Sequence, residues 1–141
     1  MEMRPLSPRY SVSPQISAED ISAIAQAGIS LVVCNRPDQE VPPSHQSKAI
    51  ADAVRAAGMR FEFLPLTHQT MTPENVALQH ELIEDAEGPV LAYCASGTRS
   101  SVVWALGEAK TRSPDEILAD TAAAGYQLDG LRPTLEQLSR S

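Results

Sequence analysis

Three short apolar runs punctuate the chain up to residue 94: ISLVVC at 29–34, MRFEFLPL at 59–66 and PVLAYC at 89–94. Each follows a stretch with helical spacing. Runs this brief, rich in β-branched and aromatic residues, predict strands buried in a sheet. Before the first run, Ser17 with Asp20 marks a helix start, Ile21, Ile24 and Ala25 form an apolar stripe, and Gly28 suits the stop, which predicts a helix over 17–27. Ile50, Val54 and Ala57 repeat the pattern ahead of Gly58. Thr72 before Pro73 opens a third helix, through about Ala86, with Val76, Leu82 and Ile83 facing inward. Beyond the last run, SSVVWALGEAK reads as a mostly buried helix; Ser113, Pro114 and Glu116 start another that ends near Gly125, and a short one begins at Arg132. Strands separated by single helices pack through right-handed crossovers into an α/β fold, a parallel-rich central sheet flanked by helices. Ligands of such sheets bind beyond the carboxyl ends of the strands. That edge gathers the loops 35–43, 67–72 and 94–99.

Composition bounds what the loops can serve. With 141 residues, 43% of them hydrophobic and 21% charged, the chain can build one proper core, so a single domain over 1–141 is expected. No apolar run reaches the roughly 20 residues that span a bilayer. The N-terminal MEMRPLSPRY lacks a basic region followed by an apolar core, which predicts a cytoplasmic protein. A formal charge of −7 argues against nucleic acid and anionic membranes as partners, since both demand clustered Lys and Arg. Cys34 and Cys94 cannot form a multi-bridge framework, and His45, His68 and His80 stand too far apart in sequence for a zinc motif, so no metal or cofactor is expected.

Cys94 ends a predicted strand, Gly97 permits a tight turn, and a helix begins near Arg99 or Ser100 with its free amides exposed. That combination is an anion cradle with a sulfur at its base. A helix N-terminus and a nearby guanidinium both favour thiolate over thiol. Ala95, Ser96, Gly97 and Thr98 would bind substrate through the loop, Arg99 would present a planar fork to an oxyanion, and the Ser100 hydroxyl would donate to the sulfur as it leaves. Arg36 would add positive potential. Cys34 ends the first strand, so a disulfide to Cys94 is conceivable if the strands are neighbours.

AYCASGTRSS resembles the cysteine loop of protein-tyrosine-phosphatase-like and rhodanese-like enzymes. Over residues 8–112 the chain is similar to a narrower bacterial family, the phosphatase-like domain of beta-lactamase-hydrolase-like proteins, also labelled a sulfur-transferase family. SVSPQIS, VVCNRPD and GPVLAYCASGTRSSVVWAL carry that likeness. It implies a dual-specificity-phosphatase-like fold, with Cys94 as nucleophile and Arg99 as oxyanion ligand. Two features depart from the phosphatase pattern. The usual signature places five residues between cysteine and arginine, whereas Ala95 to Thr98 make four, as in a rhodanese. The loop that usually carries an Asp as general acid reads PLTHQTMT, without a carboxylate. Asp38 and His68 are the remaining proton-donor candidates by topology. Three functions follow: hydrolysis of phosphate monoesters, which is expected first; sulfur transfer from a sulfane-sulfur donor through a Cys94 persulfide; and a noncatalytic anion-binding module. The first takes a small anionic or phosphorylated substrate.

Overall fold

The computed structural model describes residues 1–141 and centres on a five-stranded sheet in the order β1-β2-β5-β3-β4. The three apolar runs supply β3 (Leu31–Cys34), β4 (Arg60–Phe63) and β5 (Val90–Tyr93). They are neighbours and parallel, with Leu31 opposite both Val90 and Arg60. An N-terminal hairpin, β1 (Arg4–Ser7) and β2 (Tyr10–Ser13), extends the sheet beyond the predicted strands. Its two strands are antiparallel, and β2 then runs parallel to β5 from Tyr10 opposite Val90 to Ser13 opposite Tyr93. Pro5, which cannot donate to a ladder, is tolerated because β1 lies at the sheet edge.

Six helices cover the sheet: α1 (Ile21–Gln26), α2 (Ser47–Ala56), α3 (Pro73–Asp85), α4 (Thr98–Glu108), α5 (Pro114–Ala123) and α6 (Arg132–Ser139). The two-residue period of β5 divides the core between the two faces. Leu91 and Tyr93 pack with Ile21, Ile24, Ile50 and Val54 on the α1 and α2 side. Val90 and Ala92 pack with Ile83, Trp104, Ile117 and Leu135 on the side of the other four helices. Each such Ile or Leu contributes about 1.5–3 kcal/mol when fully buried.

Start signals hold up closely. The Ser113 hydroxyl accepts from the Glu116 amide at 3.2 Å while the Glu116 carboxylate accepts from the Ser113 amide, and the Thr72 hydroxyl accepts from the Asn75 amide. The helix expected over 17–27 is divided: a 3-10 turn at Ala18–Asp20, closed by the Ser17 amide on Asp20, precedes α1. On β4, Phe61 is 5% exposed but Phe63 is 42% exposed, because β4 is the other edge strand. No helix is long and apolar enough to cross a membrane.

Candidate active site

Parallel pairing brings the loops after β2, β3, β4 and β5 to one edge of the sheet. Cys94 lies one residue beyond β5, its amide directed at the Ser13 carbonyl at 3.4 Å. The next residues turn back into α4 through Gly97, whose φ of +95° is a left-handed conformation that L side chains rarely adopt. The three loop carbonyls all face away from the sulfur. Ala95 O accepts from the Gln15 amide at 3.4 Å, Ser96 O from the Tyr126 hydroxyl at 2.9 Å, and Gly97 O from both the amide and the hydroxyl of Ser101. Amides are left for the concave side. Gly97 N–H donates to Cys94 Sγ at 3.1 Å, and the amides of Ala95, Ser96, Arg99 and Ser100 donate to no protein acceptor. The outcome is a loop with one N–H on the sulfur and four further amides free, two of them in the first turn of α4. Ala95, Ser96 and Thr98 form the exposed rim, with Ser96 and Thr98 joined hydroxyl to hydroxyl at 2.9 Å.

Arg99, in the first turn of α4 beside this loop, is held by a carboxylate that the sequence pattern did not single out. Its Nη1 donates to Glu40 Oε2 at 2.8 Å and to the Leu66 carbonyl at 2.9 Å, while Nη2 donates to Glu40 Oε1 at 2.7 Å. Paired with Glu40, and with the Cys94 sulfur also nearby, the guanidinium is held even more firmly in its charged form than an ordinary arginine. Reciprocally, Arg99, and behind it Arg36, hold the Glu40 carboxyl below the usual carboxylate range. Arg36 supports Glu40: its Nε donates to Glu40 Oε1 at 3.1 Å and its Nη1 to Gln15 Oε1 at 3.3 Å.

A closed polar network sits beneath α4. Ser100 Oγ donates to Asn35 Oδ1 at 2.9 Å; Asn35 and Gln79 exchange amide hydrogen bonds at 3.0 and 3.2 Å; Gln79 donates to the Tyr10 hydroxyl, which donates to the Ser100 carbonyl at 2.8 Å. Asn35, Gln79 and Ser100 are fully buried. Buried amides and hydroxyls persist when every group is satisfied, as here. Tyr10 also stacks on Trp104, centroids 6.2 Å apart, which ties β2 to α4.

The expected site residues divide into three groups. Cys94, Ala95, Ser96, Gly97, Thr98 and Arg99 come together as a cradle. Ser100 and Arg36 lie beside it but are otherwise engaged: the Ser100 proton is directed to Asn35 rather than to the sulfur, and Arg36 braces Glu40 rather than facing the cradle directly. Asp38 and His68, the proton-donor candidates, stand apart from the cysteine loop's hydrogen bonds. Asp38 accepts from the amide and hydroxyl of Ser47 at 2.6 and 2.9 Å, so both its oxygens close the N-terminus of α2. His68 projects to solvent from a turn closed by Thr67 and Thr70, without a hydrogen bond of its own. No group of three His, Cys, Asp or Glu side chains is placed to hold a metal. Among the residues not foreseen, Glu40 was readable only as a second carboxylate in NRPDQE. Tyr126, Asn35 and Gln79 gave no local signal.

The mostly parallel sheet, with its cysteine-and-arginine loop between the central strand and a helix, shares its fold with Tk-PTP and PTPMT1, solved structures of the protein-tyrosine-phosphatase-like class that superpose on it. The chain belongs to the family described as the phosphatase-like domain of beta-lactamase hydrolase-like proteins, whose profile matches residues 2–111. The beta-lactamase hydrolase-like protein of Agrobacterium fabrum is 31% identical over 104 residues, covering 74% of this chain and 24% of that protein. This chain therefore spans about a quarter of the length of that relative. A candidate phosphatase from Neisseria meningitidis is 36% identical with a TM-score of 0.87, covering 98% of this chain and 99% of that one. TpbA from P. aeruginosa, solved with phosphotyrosine, has a TM-score of 0.63 at 19% identity, covering 95% of this chain and 90% of the other.

Proposed function

We propose that this domain is a cysteine-dependent hydrolase of phosphate monoesters. The observation that carries the reading is the cysteine loop: its carbonyls are taken by Gln15, Tyr126 and Ser101, the Gly97 amide donates to Cys94 Sγ, four further amides are free, and Arg99 follows in the first turn of α4. Such a cradle suits the three non-bridging oxygens of a phosphoryl group. The Cys94 thiolate attacks phosphorus, the ester P–O bond breaks, and the alkoxide departs with the electron pair and is protonated by water to the alcohol. Water then attacks phosphocysteine and releases phosphate and the thiolate. Arg99 binds the equatorial oxygens, with Ala95, Ser96, Gly97 and Thr98 forming the substrate-binding loop. The catalysis takes place in a reducing compartment such as the cytoplasm, where the thiol stays free. Phosphotyrosine on the structural relative TpbA fits a phosphorylated substrate.

A second reading has its own support. The four-residue spacing and the engagement of Asp38 at α2 favour a reaction whose leaving group needs no proton. In that reading Cys94 attacks the outer sulfur of thiosulfate, the S–S bond breaks, sulfite leaves with the electron pair, and the Cys94 persulfide passes its sulfur to a thiol. Steady-state release of phosphate from an aryl phosphate, against release of sulfite from thiosulfate with a thiol acceptor, separates the two. The phosphatase reading expects Cys94-dependent turnover of the first. Turnover of thiosulfate alone would transfer the assignment to sulfur chemistry, and binding of anions without either turnover would make the domain a recognition module.

A further inference from the structure

We propose that Glu40 is a positioning residue that aims Arg99 at the oxyanion, and not a carboxylate that blocks it; this rests on the oxyanion role assigned to Arg99 above. A guanidinium has five N–H donors in a fixed plane. Both hydrogens of Nη1 are used, one on Glu40 Oε2 and one on the Leu66 carbonyl, and one hydrogen of Nη2 is used on Glu40 Oε1. The two left over are Nε–H and the second hydrogen of Nη2. They lie on one edge of the plane and form the other bidentate fork. Glu40 thus takes the end of the guanidinium and leaves the side fork for a phosphoryl or sulfonyl oxygen pair, on a residue in the first turn of the helix that follows the Cys94 loop.

Glu40 is itself fixed from behind. Arg36 bonds to both its side chain and its carbonyl and reaches to Gln15, whose amide meets the Ala95 carbonyl of the cysteine loop. Loops after β2, β3 and β4 therefore converge on one arginine, and the Arg36 in NRPDQE contributes through Glu40 rather than through its own charge. The Arg99 side chain is only 16% exposed, so three of its donors have protein partners where water is scarce.

Plain electrostatics and positioning predict opposite signs, which makes the proposal testable. Removing a negative charge beside an anion site should tighten anion binding on charge alone. Loss of positioning should weaken it. Inorganic phosphate binding is measured by calorimetry on the wild-type chain and on Glu40→Ala and Glu40→Gln, with thermal melting as the check on folding. The expected result is weakening by about tenfold in Glu40→Ala and an intermediate loss in Glu40→Gln, which keeps one acceptor and the side-chain shape. A matching fall in kcat for an aryl phosphate should accompany it. Unchanged or tighter phosphate binding in both variants would overturn the proposal even if the wild type forms phosphocysteine. Weakened binding without phosphocysteine in the wild type would uphold the positioning role while removing the hydrolase reading. A wild-type chain that binds no phosphate would remove both.

Discussion

Cys34 and Cys94 stand at the same edge of the same sheet, at the ends of strands that pair directly, yet the groups that meet their sulfurs differ. Exposure does not separate them, since they are 2% and 1% exposed. Hydrogen bonding does. Burial pushes the Cys34 thiol up, and its Sγ donates to the Arg36 carbonyl at 3.3 Å. Cys94 Sγ instead accepts from the Gly97 amide at 3.1 Å, in the loop that leads into Arg99. The alternation along β5 adds a geometric difference. Tyr93, paired with Cys34, faces the α1 and α2 core with it, so the next residue is carried to the other side, where the cradle forms. Both thiols are free. In the proposed reading it is the loop that follows Cys94 that makes it a nucleophile, whereas the loop after β3 builds a helix cap.

The widest separation between the two should come from replacing each sulfur. Cys94→Ser is expected to lower turnover by about a thousandfold or more, because the attacking atom is changed. Cys34→Ala should leave turnover within about twofold and cost about 1 kcal/mol in a denaturant melt, as a small buried truncation. Equal losses of activity would dissolve the contrast. Next in size, Arg99→Lys replaces the planar fork with a point charge and should lower kcat/KM by about a hundredfold with little change in melting. Gly97→Ala should follow: the left-handed φ costs about 1–2 kcal/mol, and the new Cβ would overlap the Tyr126 hydroxyl. Turnover and melting should fall together, and Tyr126→Phe in the same chain should not restore them because the backbone strain stays.

The smallest expected effect concerns pH. Glu40 is held below the usual carboxylate range by Arg99, so its pairing stabilises the fold fully above the ordinary glutamate value of about 4.3 and is lost as pH falls through its lower folded value. The melting difference between wild type and Glu40→Gln should be present at neutral pH, amount to no more than about 1 kcal/mol for a carboxylate one-third exposed, and close below about pH 4. A difference that grows on acidification would contradict the sign.

Local signals carried much of this into the sequence. The β-branched runs gave three adjacent parallel strands, Ser113 with Glu116 and Thr72 with Pro73 marked helix starts, and Cys94, Gly97 and Arg99 between a strand and a helix gave the cradle. What escaped was selected by distant chain. The β1–β2 hairpin consists of four-residue strands, and β2 becomes legible only beside β5, which is some eighty residues further on. The 3-10 turn at Asp38–Glu40 sends one carboxylate to α2 and the other to Arg99, a choice that composition cannot reveal. Glu40 and Arg99 are 59 residues apart, and Tyr126 reaches Ser96 from 30 residues away. Gln79 interrupts the apolar stripe of α3 because it completes the network with Asn35 and Tyr10 rather than the core.

The central claim, that Cys94 and not Cys34 carries the reacting group, is tested most directly by acid-quenched intact-mass analysis followed by peptide mapping. Reduced protein is exposed separately to an aryl phosphate and to thiosulfate, with Cys94→Ser as control. A phosphoryl adduct confined to Cys94 and absent from the control is the predicted result. A persulfide on Cys94 with no phosphoryl adduct would keep the nucleophile and contradict the hydrolase, and an adduct on Cys34, or none at all, would contradict the account of how this sheet edge makes one cysteine reactive.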